Sequence, residues 1–474
     1  MKKTIYIVLL IAFTLSSCSD NFNEAVDFTD IENPNLLETS IVGQPNSSKI
    51  WLTGLERETS LAYNEIIILA ELGSDNYINT ETFFNQFLDN IDIRVEDPDI
   101  RDTQYRIARL RESALFGLET VGPADSEYAT ITEAEYNFYE GLSYMLAGMY
   151  FSALPQEELG VAVSSVENYN SAINSFNKAI TINPDIPYYY MAMARVYYYL
   201  GNKSAAVDAA KKALTLDNSF IKAAKYDQDD GPSNTMESAL FDRSTFDDLQ
   251  PLPTLDFLDP KYSFLSSGED PAVNFLKAEE AYLILAEANL STDIGMAKQN
   301  LKNLLMLIAT REVRTFSDTI EDRTQDEPGS RPDTTSVVVN GREGLVLYRK
   351  GEQISVPSVS GTSLTDEEIN MASTEDELLK LIYRTRQEVF IAEGIRFVDM
   401  GVKLVIHENE ILQNPNINAG DPSTVPVIPS FISSVVNDLD AITYDRTSGM
   451  AMTAIDLNDI LVQNKTSSEV IPFY

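Results

Sequence analysis

The chain has 474 residues, 35 basic against 73 acidic, a formal net charge of −38 and 44% hydrophobic residues. That charge argues against nucleic acid as a partner, because phosphate binding needs clustered Lys and Arg, and the apolar content is too high for a disordered acidic tail. A single cysteine excludes an internal disulfide, so the fold must hold without covalent staples.

Lys2 and Lys3 precede an apolar run over 5–15 and then Ser16-Ser17-Cys18-Ser19-Asp20. The run is shorter than the roughly 18 apolar residues that span hydrocarbon, so residues 1–17 read as a signal peptide that is removed. Leu15-Ser16-Ser17-Cys18 resembles the bacterial lipobox, which implies a lipid on Cys18 and attachment to a membrane through it. Loss of 1–17 removes two basic residues and no acidic one, leaving 33 − 73 = −40. Such a body is repelled by anionic headgroups, and the polar, acidic stretch 18–34 is expected to be its tether.

Further along, 52–72 is a helix candidate and 74–87 is loop-like. A helical run rich in Tyr, Met and Ala covers 133–154. Between 169 and 218 the sequence matches itself at an offset of 34 residues, pairing Ala172 with Ala206, Lys178 with Lys212, Ala179 with Ala213 and Ile182 with Leu216. That offset is the tetratricopeptide period. Tyr190, Met193, Ala194 and Tyr197 fall at the large and small positions of a first helix, and Ala206 and Ala213 at the small positions of a second. Ala172, Phe176 and Pro184 repeat the pattern upstream, and Asn183-Pro184 ends the helix. The departures are Ala210, where a large aromatic is usual, and Asn218, where proline is. Because one unit cannot bury its own face, about three or more are expected, and 278–311 reads as a further helix pair.

Asp227-Gln228-Asp229-Asp230-Gly231 with Glu237 approaches a calcium loop. Its glycine falls at the fifth place instead of the sixth and its glutamate at the eleventh instead of the twelfth, so a solvated acidic turn is expected. From 318 to 373 the sequence becomes acidic and irregular, with one hairpin expected from 336–339 and 345–348 around Asn340-Gly341. The stretch 411–429 is loop-like. His407 is the only histidine and is expected at a solvated helix end; with Cys18 occupied by lipid, this argues against Ser-His-Asp triads, Cys-His pairs and any multi-histidine zinc site. Neither a phosphate-binding glycine loop nor a nucleophile elbow is present, and no cofactor is indicated. Acidic pairs for glycoside hydrolysis stay open, because linear spacing does not reveal their separation.

Arg386-Gln387-Glu388-Val389-Phe390 followed by Glu393-Gly394-Ile395-Arg396-Phe397-Val398-Asp399-Met400 resembles a C-terminal segment of the SusD/RagB family, nutrient-binding outer-membrane lipoproteins of Bacteroidetes. At helical spacing Phe390, Phe397 and Met400 would share an apolar face and Glu393 would pair with Arg396, so the motif reads as structural. The lipobox, 134–155, the repeats, and Ala278-Glu279 with Tyr282, Ala286 and Ala288 resemble the same family in order, with departures at Gly141, Ala147 and 401–403.

The resemblance implies a mainly α fold, with a tetratricopeptide-type helical-pair scaffold, irregular loops and minor β-hairpin insertions. It divides the mature chain into an N-terminal region with the repeats, 35–240, and a C-terminal region, 241–474. It also implies a protein of the outer membrane, facing the exterior, that is not an enzyme and delivers a captured glycan to a TonB-dependent transporter. A peptide-binding member, a tetratricopeptide scaffold for protein segments, and an extracellular glycoside hydrolase are the alternatives. Glycan recognition uses flat aromatic faces. Trp51 reads as core in preference to a ligand platform, whereas Tyr77, Phe83 and Phe84 in the 74–87 stretch are the candidate ligand contacts. No metal ligands are indicated.

Overall fold

The computed structural model describes residues 42–79, 85–242, 249–259, 261–262, 270–317, 336–348 and 353–469. The proposed signal peptide, Cys18 and the tether lie outside them, as do Phe83 and Phe84.

Helices dominate, and their starts follow from local chemistry. Asp97 caps α2 (Pro98–Phe116) by accepting from Asp99 N, with proline in the first turn, where its missing N–H leaves no bond unmade. Ser164 and Glu167 form a capping box on α4 (Ser165–Ile182), and Thr374 and Glu377 form another on α9 (Glu375–Val389). The remaining long helices are α1 (Ser47–Leu72), α3 (Thr130–Tyr150), α5 (Pro187–Tyr199), α6 (Lys203–Leu216), α7 (Ala278–Asn289) and α8 (Ile294–Ile308). From α1 to α8 each helix packs on the next, which is the one-dimensional stacking of helix repeats. The helix pair expected over 278–311 is therefore present and extends the stack through α6, while α3 covers its other side.

The repeat positions are filled as their residue types require. Ala172, Phe176, Ala179, Ala206 and Ala213 are all fully buried, and so is Ala210, where the repeat pattern usually has a large aromatic. Gly141 explains its own departure from the family pattern: a Cβ there would lie 2.6 Å from Phe176 Cδ1 and 3.2 Å from Ala172 O, so glycine lets the Phe176 ring rest on the α3 backbone. Tyr197 is only half-buried, and the neighbouring Tyr198 is the ring that fills the interior.

Short strands tie the stack to the C-terminal region. Ile221–Ala224 pairs antiparallel with Val273–Lys277, and Tyr77–Asn79 with Leu249–Pro251. One hydrophobic cluster runs from Leu55 to Val462, so residues on both sides of position 240 share a core. The expected turn at Asn340-Gly341 is present, with φ of 47° and 79°, and Val339 and Arg342 exchange both backbone hydrogen bonds at 2.8 Å. The second strand over 345–348 is not formed. Gly344, at φ 78°, turns the chain away, Val338 and Val339 pair in parallel with Met450 and Ala451, and Leu345 and Val346 enter a small separate core beside Val337.

His407 is also placed differently from expectation. It does start a helix, α11 (Glu408–Gln413), its Nδ1 accepting from Asn409 N at 3.1 Å. The residue is buried rather than solvated, and its backbone N–H donates to Gln104 Oε1.

Candidate functional site

The segment 386–400 is the first place to look, because its residues carried the family resemblance. It is not one helix. After α9 ends at Val389 the chain turns through Ala392 (φ 58°) and Gly394 (φ 74°), a left-handed conformation that glycine adopts at no steric cost, and then begins α10 (Ile395–Asp399). Phe390, Phe397 and Met400 are all buried, but from two helices rather than from one face.

The expected Glu393–Arg396 pair is absent because both side chains turn inward to more distant partners. Lys277 Nζ donates to Glu393 Oε1 at 2.8 Å and to the carbonyls of Val389 and Val359, and Lys261 bonds the same carboxyl oxygen. Arg396 forms a fork to Asp75, with Nε to Oδ1 at 2.6 Å and Nη2 to Oδ2 at 2.8 Å. Arg386 Nε donates to Asp399 Oδ2 at 2.6 Å and Nη2 to Glu280 Oε1 at 3.3 Å. Arg195 on α5 donates to both oxygens of that same Glu280.

These groups are withdrawn from water, and their ionisation shows it. Burial pushes the Glu280 carboxyl up, yet the Arg195 and Arg386 guanidiniums hold it below its ordinary value. Glu71, accepting from Asn76 Nδ2 and Gly394 N, is raised by burial to about 7, and burial lowers Lys277 to about 7. A buried charge cluster of this kind fixes the positions of α1, α5, α7, α9 and α10. Its carboxylates face cations and amides, so the motif is structural, as read from the sequence.

The outer face of α9 is different. A cleft of about 180 Å³ opens there. Leu252, Thr254 and Leu255 form one wall, the turn residues Asn340 and Arg342 a second, and Thr453, Ile455 and Asp456 a third. Lys380, Arg384 and Glu388 of α9 make the floor, with Asp75 and Asn458 at its inner end. The cations are held in place: Arg384 Nη2 donates to Glu368 Oε2 at 2.9 Å, Lys380 bridges Asp456 at 2.9 Å and Asp459 at 2.7 Å, and Arg342 donates to Ser363 Oγ. Burial, then the neighbouring Arg384, lowers the Arg342 pKa. Glu388 accepts from Thr362 Oγ1 at 2.5 Å and Ser363 N at 2.8 Å. Fixed amide, hydroxyl and guanidinium donors over aliphatic patches suit a polar ligand with apolar faces.

The sequence candidates fall unevenly. Tyr77 is 1% exposed, in the strand that pairs with Leu249–Pro251, so its ring faces the core and offers no surface to a ligand. Within 74–87, read as a loop, Tyr77–Asn79 form this strand. Trp51 packs against Phe116 at 5.0 Å between ring centroids and donates its Nε1–H to Ser113 O at 2.8 Å, which agrees with a core role. Cys18, Phe83 and Phe84 lie outside the described residues. Asp227 Oδ1 accepts from Asp229 N and Asp230 N, the acidic turn that was expected. The cleft residues were not anticipated. Sequence readings touched them only piecemeal, through Asp75 in the 74–87 stretch, the turn at Asn340-Gly341, and Gln387 with Glu388 in the family-like segment.

Known proteins match in two ways. The family model described as tetratricopeptide repeat matches residues 158–186 and 187–220. Small glutamine-rich tetratricopeptide repeat-containing protein 2 of Mycosarcoma maydis is 36% identical over 64 residues, 14% of this chain, and the chain spans only 18% of that relative's length. Among solved structures, a SusD-like protein from Bacteroides fragilis aligns with a TM-score of 0.53 and 13% identity over 75% of this chain and 85% of its own. A SusD superfamily protein from B. fragilis gives 0.52 and 15% over 80% and 100%, and one from Bacteroides vulgatus 0.51 and 13% over 79% and 98%. At such identities the likeness is one of architecture, and it reaches well beyond the repeats. The chain has the SusD-superfamily fold, mainly helical and with a tetratricopeptide pair inside its helical stack.

Proposed function

We propose that this chain is a nutrient-binding lipoprotein of the SusD/RagB family, anchored through Cys18 to the outer membrane and facing the exterior. It captures a glycan at the α9 cleft and delivers it to a TonB-dependent transporter. The observation that carries this reading is the position of the cleft. On the SusD-superfamily fold it is built from the outer face of α9, the turns and loops around it and the ends of one short strand and one short helix, and no residue of the repeat helices α4 to α6 lines it. Irregular segments on a rigid frame are where binding residues gather. Phe83 and Phe84 remain proposed ligand contacts.

A peptide ligand is the second reading. It is favoured by the charged lining, Arg342, Lys380, Arg384, Glu388 and Asp456, and by the lack of an aromatic ring among the described residues of the cleft. Glycan and peptide arrays probed with the mature domain separate the two, and prolonged incubation with any ligand found tests for turnover. Intact ligand is expected; product release would move the protein to the hydrolase class. For the anchor, Cys18→Ala should abolish labelling by a fatty-acid analogue, and unchanged labelling contradicts it.

A further inference from the structure

A second depression, of about 400 Å³, shares no lining residue with the α9 cleft. It lies between α2, the segment 154–159 and α11, and two chemistries meet in it. Tyr105 and Leu159, each 47% exposed, stand at its rim above Ala108 and the buried Leu154 and Ile107. Around this apolar surface are four carboxylates, Glu112, Glu157, Glu158 and Glu410. The one cation in the wall is already engaged: Arg111 Nη1 donates to Pro155 O at 2.9 Å and Nη2 to Glu112 Oε1 at 3.0 Å, and its side chain is almost wholly buried.

Leu159 is held there against its own backbone preference. Its φ is 53°, in the left-handed region where a Cβ is disfavoured and glycine is the default. The turn from Glu157 to Gly160 is clamped by two side-chain amides, Asn416 Nδ2 on Leu159 O and Asn414 Nδ2 on Gly160 O, both at 2.7 Å. Core packing does not account for a leucine at this position, because the side chain is among the exposed large hydrophobics.

We propose that this groove docks a cationic, apolar-tipped loop of a partner protein. Its acidic rim, on a chain of net charge −38, repels phosphate and anionic headgroups and attracts Lys and Arg. Its apolar rim residues gain from a hydrophobic tip and gain little from a polyol. The partner is a preformed loop rather than a free chain. An open groove offers few contacts to offset the ordering of a flexible peptide, whereas a loop arrives already ordered. This surface acts independently of ligand capture at the α9 cleft.

Fluorescence anisotropy on the mature chain tests this with a ring-closed octapeptide of alternating Lys and Leu, its Glu-for-Lys counterpart and the open-chain version. The Lys ring should bind about tenfold or more tighter than either control, and more weakly as salt rises. Leu159→Gly should weaken it about tenfold while thermal unfolding stays unchanged or rises, since glycine relieves the positive φ. Glu157→Lys with Glu158→Lys should weaken it similarly. Equal binding of the Glu ring or of the open chain, or undiminished binding to Leu159→Gly, would overturn the proposal.

Discussion

The repeat helices α4 to α6 and the turn between α9 and α10 lie in the same core and are held by opposite chemistry. In the repeats, small side chains such as Ala172, Ala206 and Ala213 let helices approach, and Phe176 fills the space beside them. Around the turn, Glu393 meets two lysines, Arg396 meets Asp75, and Arg386 closes on Glu280 together with Arg195, which the repeat helix α5 contributes to this cluster. Apolar packing is non-directional, so it tolerates a departure such as Ala210 at a position where a large ring is usual. Ion pairs out of water are directional, and removing one member leaves the others buried and unpaired. The frame is thus forgiving along the stack and unforgiving where the C-terminal region locks onto it.

Three measurements sharpen that contrast. The largest effect belongs to Glu280→Ala, which strands Arg195 and Arg386 in the core. Denaturant unfolding should show a loss of about 3 to 5 kcal/mol, and a loss below that of a repeat alanine variant would break the contrast. Next is Gly141→Ala, whose new methyl meets Phe176 at 2.6 Å. Overpacking of this kind costs about 1 to 3 kcal/mol; an unchanged midpoint would mean that α3 and α4 are not in close contact.

The third effect concerns pH. Burial raises Glu287 from 4.5 to about 7, with Tyr198 Oη donating to it at 2.8 Å. Between those values the folded state keeps a proton that the unfolded state has released, so this carboxyl's contribution is full below about 4.5 and is lost as pH rises through about 7. Glu287→Gln keeps an acceptor for Tyr198 and removes the titration. Its stability should fall less than that of the parent across this range, and parallel pH profiles would contradict the assignment.

How much the sequence revealed follows from the range of the interactions. The helix pairs were legible because their offset and small-residue spacing are local, and even the departure at Gly141 has a neighbour-level cause in Phe176. The turn at Asn340-Gly341 was legible for the same reason, but the strand it feeds pairs with Met450 and Ala451, far along the chain. At 386–400 helical spacing was carried through Gly394, although glycine there is a local sign of a break. The partners of Glu393 and Arg396, Lys261, Lys277 and Asp75, leave no such sign. Tyr77 was misplaced because its strand partner lies at Leu249–Pro251. The α9 cleft gathers Asp75, Leu252, Asn340, Arg384 and Asp456 from five separate stretches, a convergence that only the fold supplies.

Isothermal titration with a ligand found on the arrays tests the central claim, capture at the α9 cleft and not on the repeats. Arg384→Ala and Arg342→Ala change the cleft, and Tyr190→Ala changes the half-buried outer side of the repeat pair. The account predicts that each cleft variant loses about 1 to 3 kcal/mol of binding free energy, that Tyr190→Ala binds as the parent does, and that the ligand is recovered intact. Undiminished binding by both cleft variants, with affinity lost in Tyr190→Ala, would contradict it.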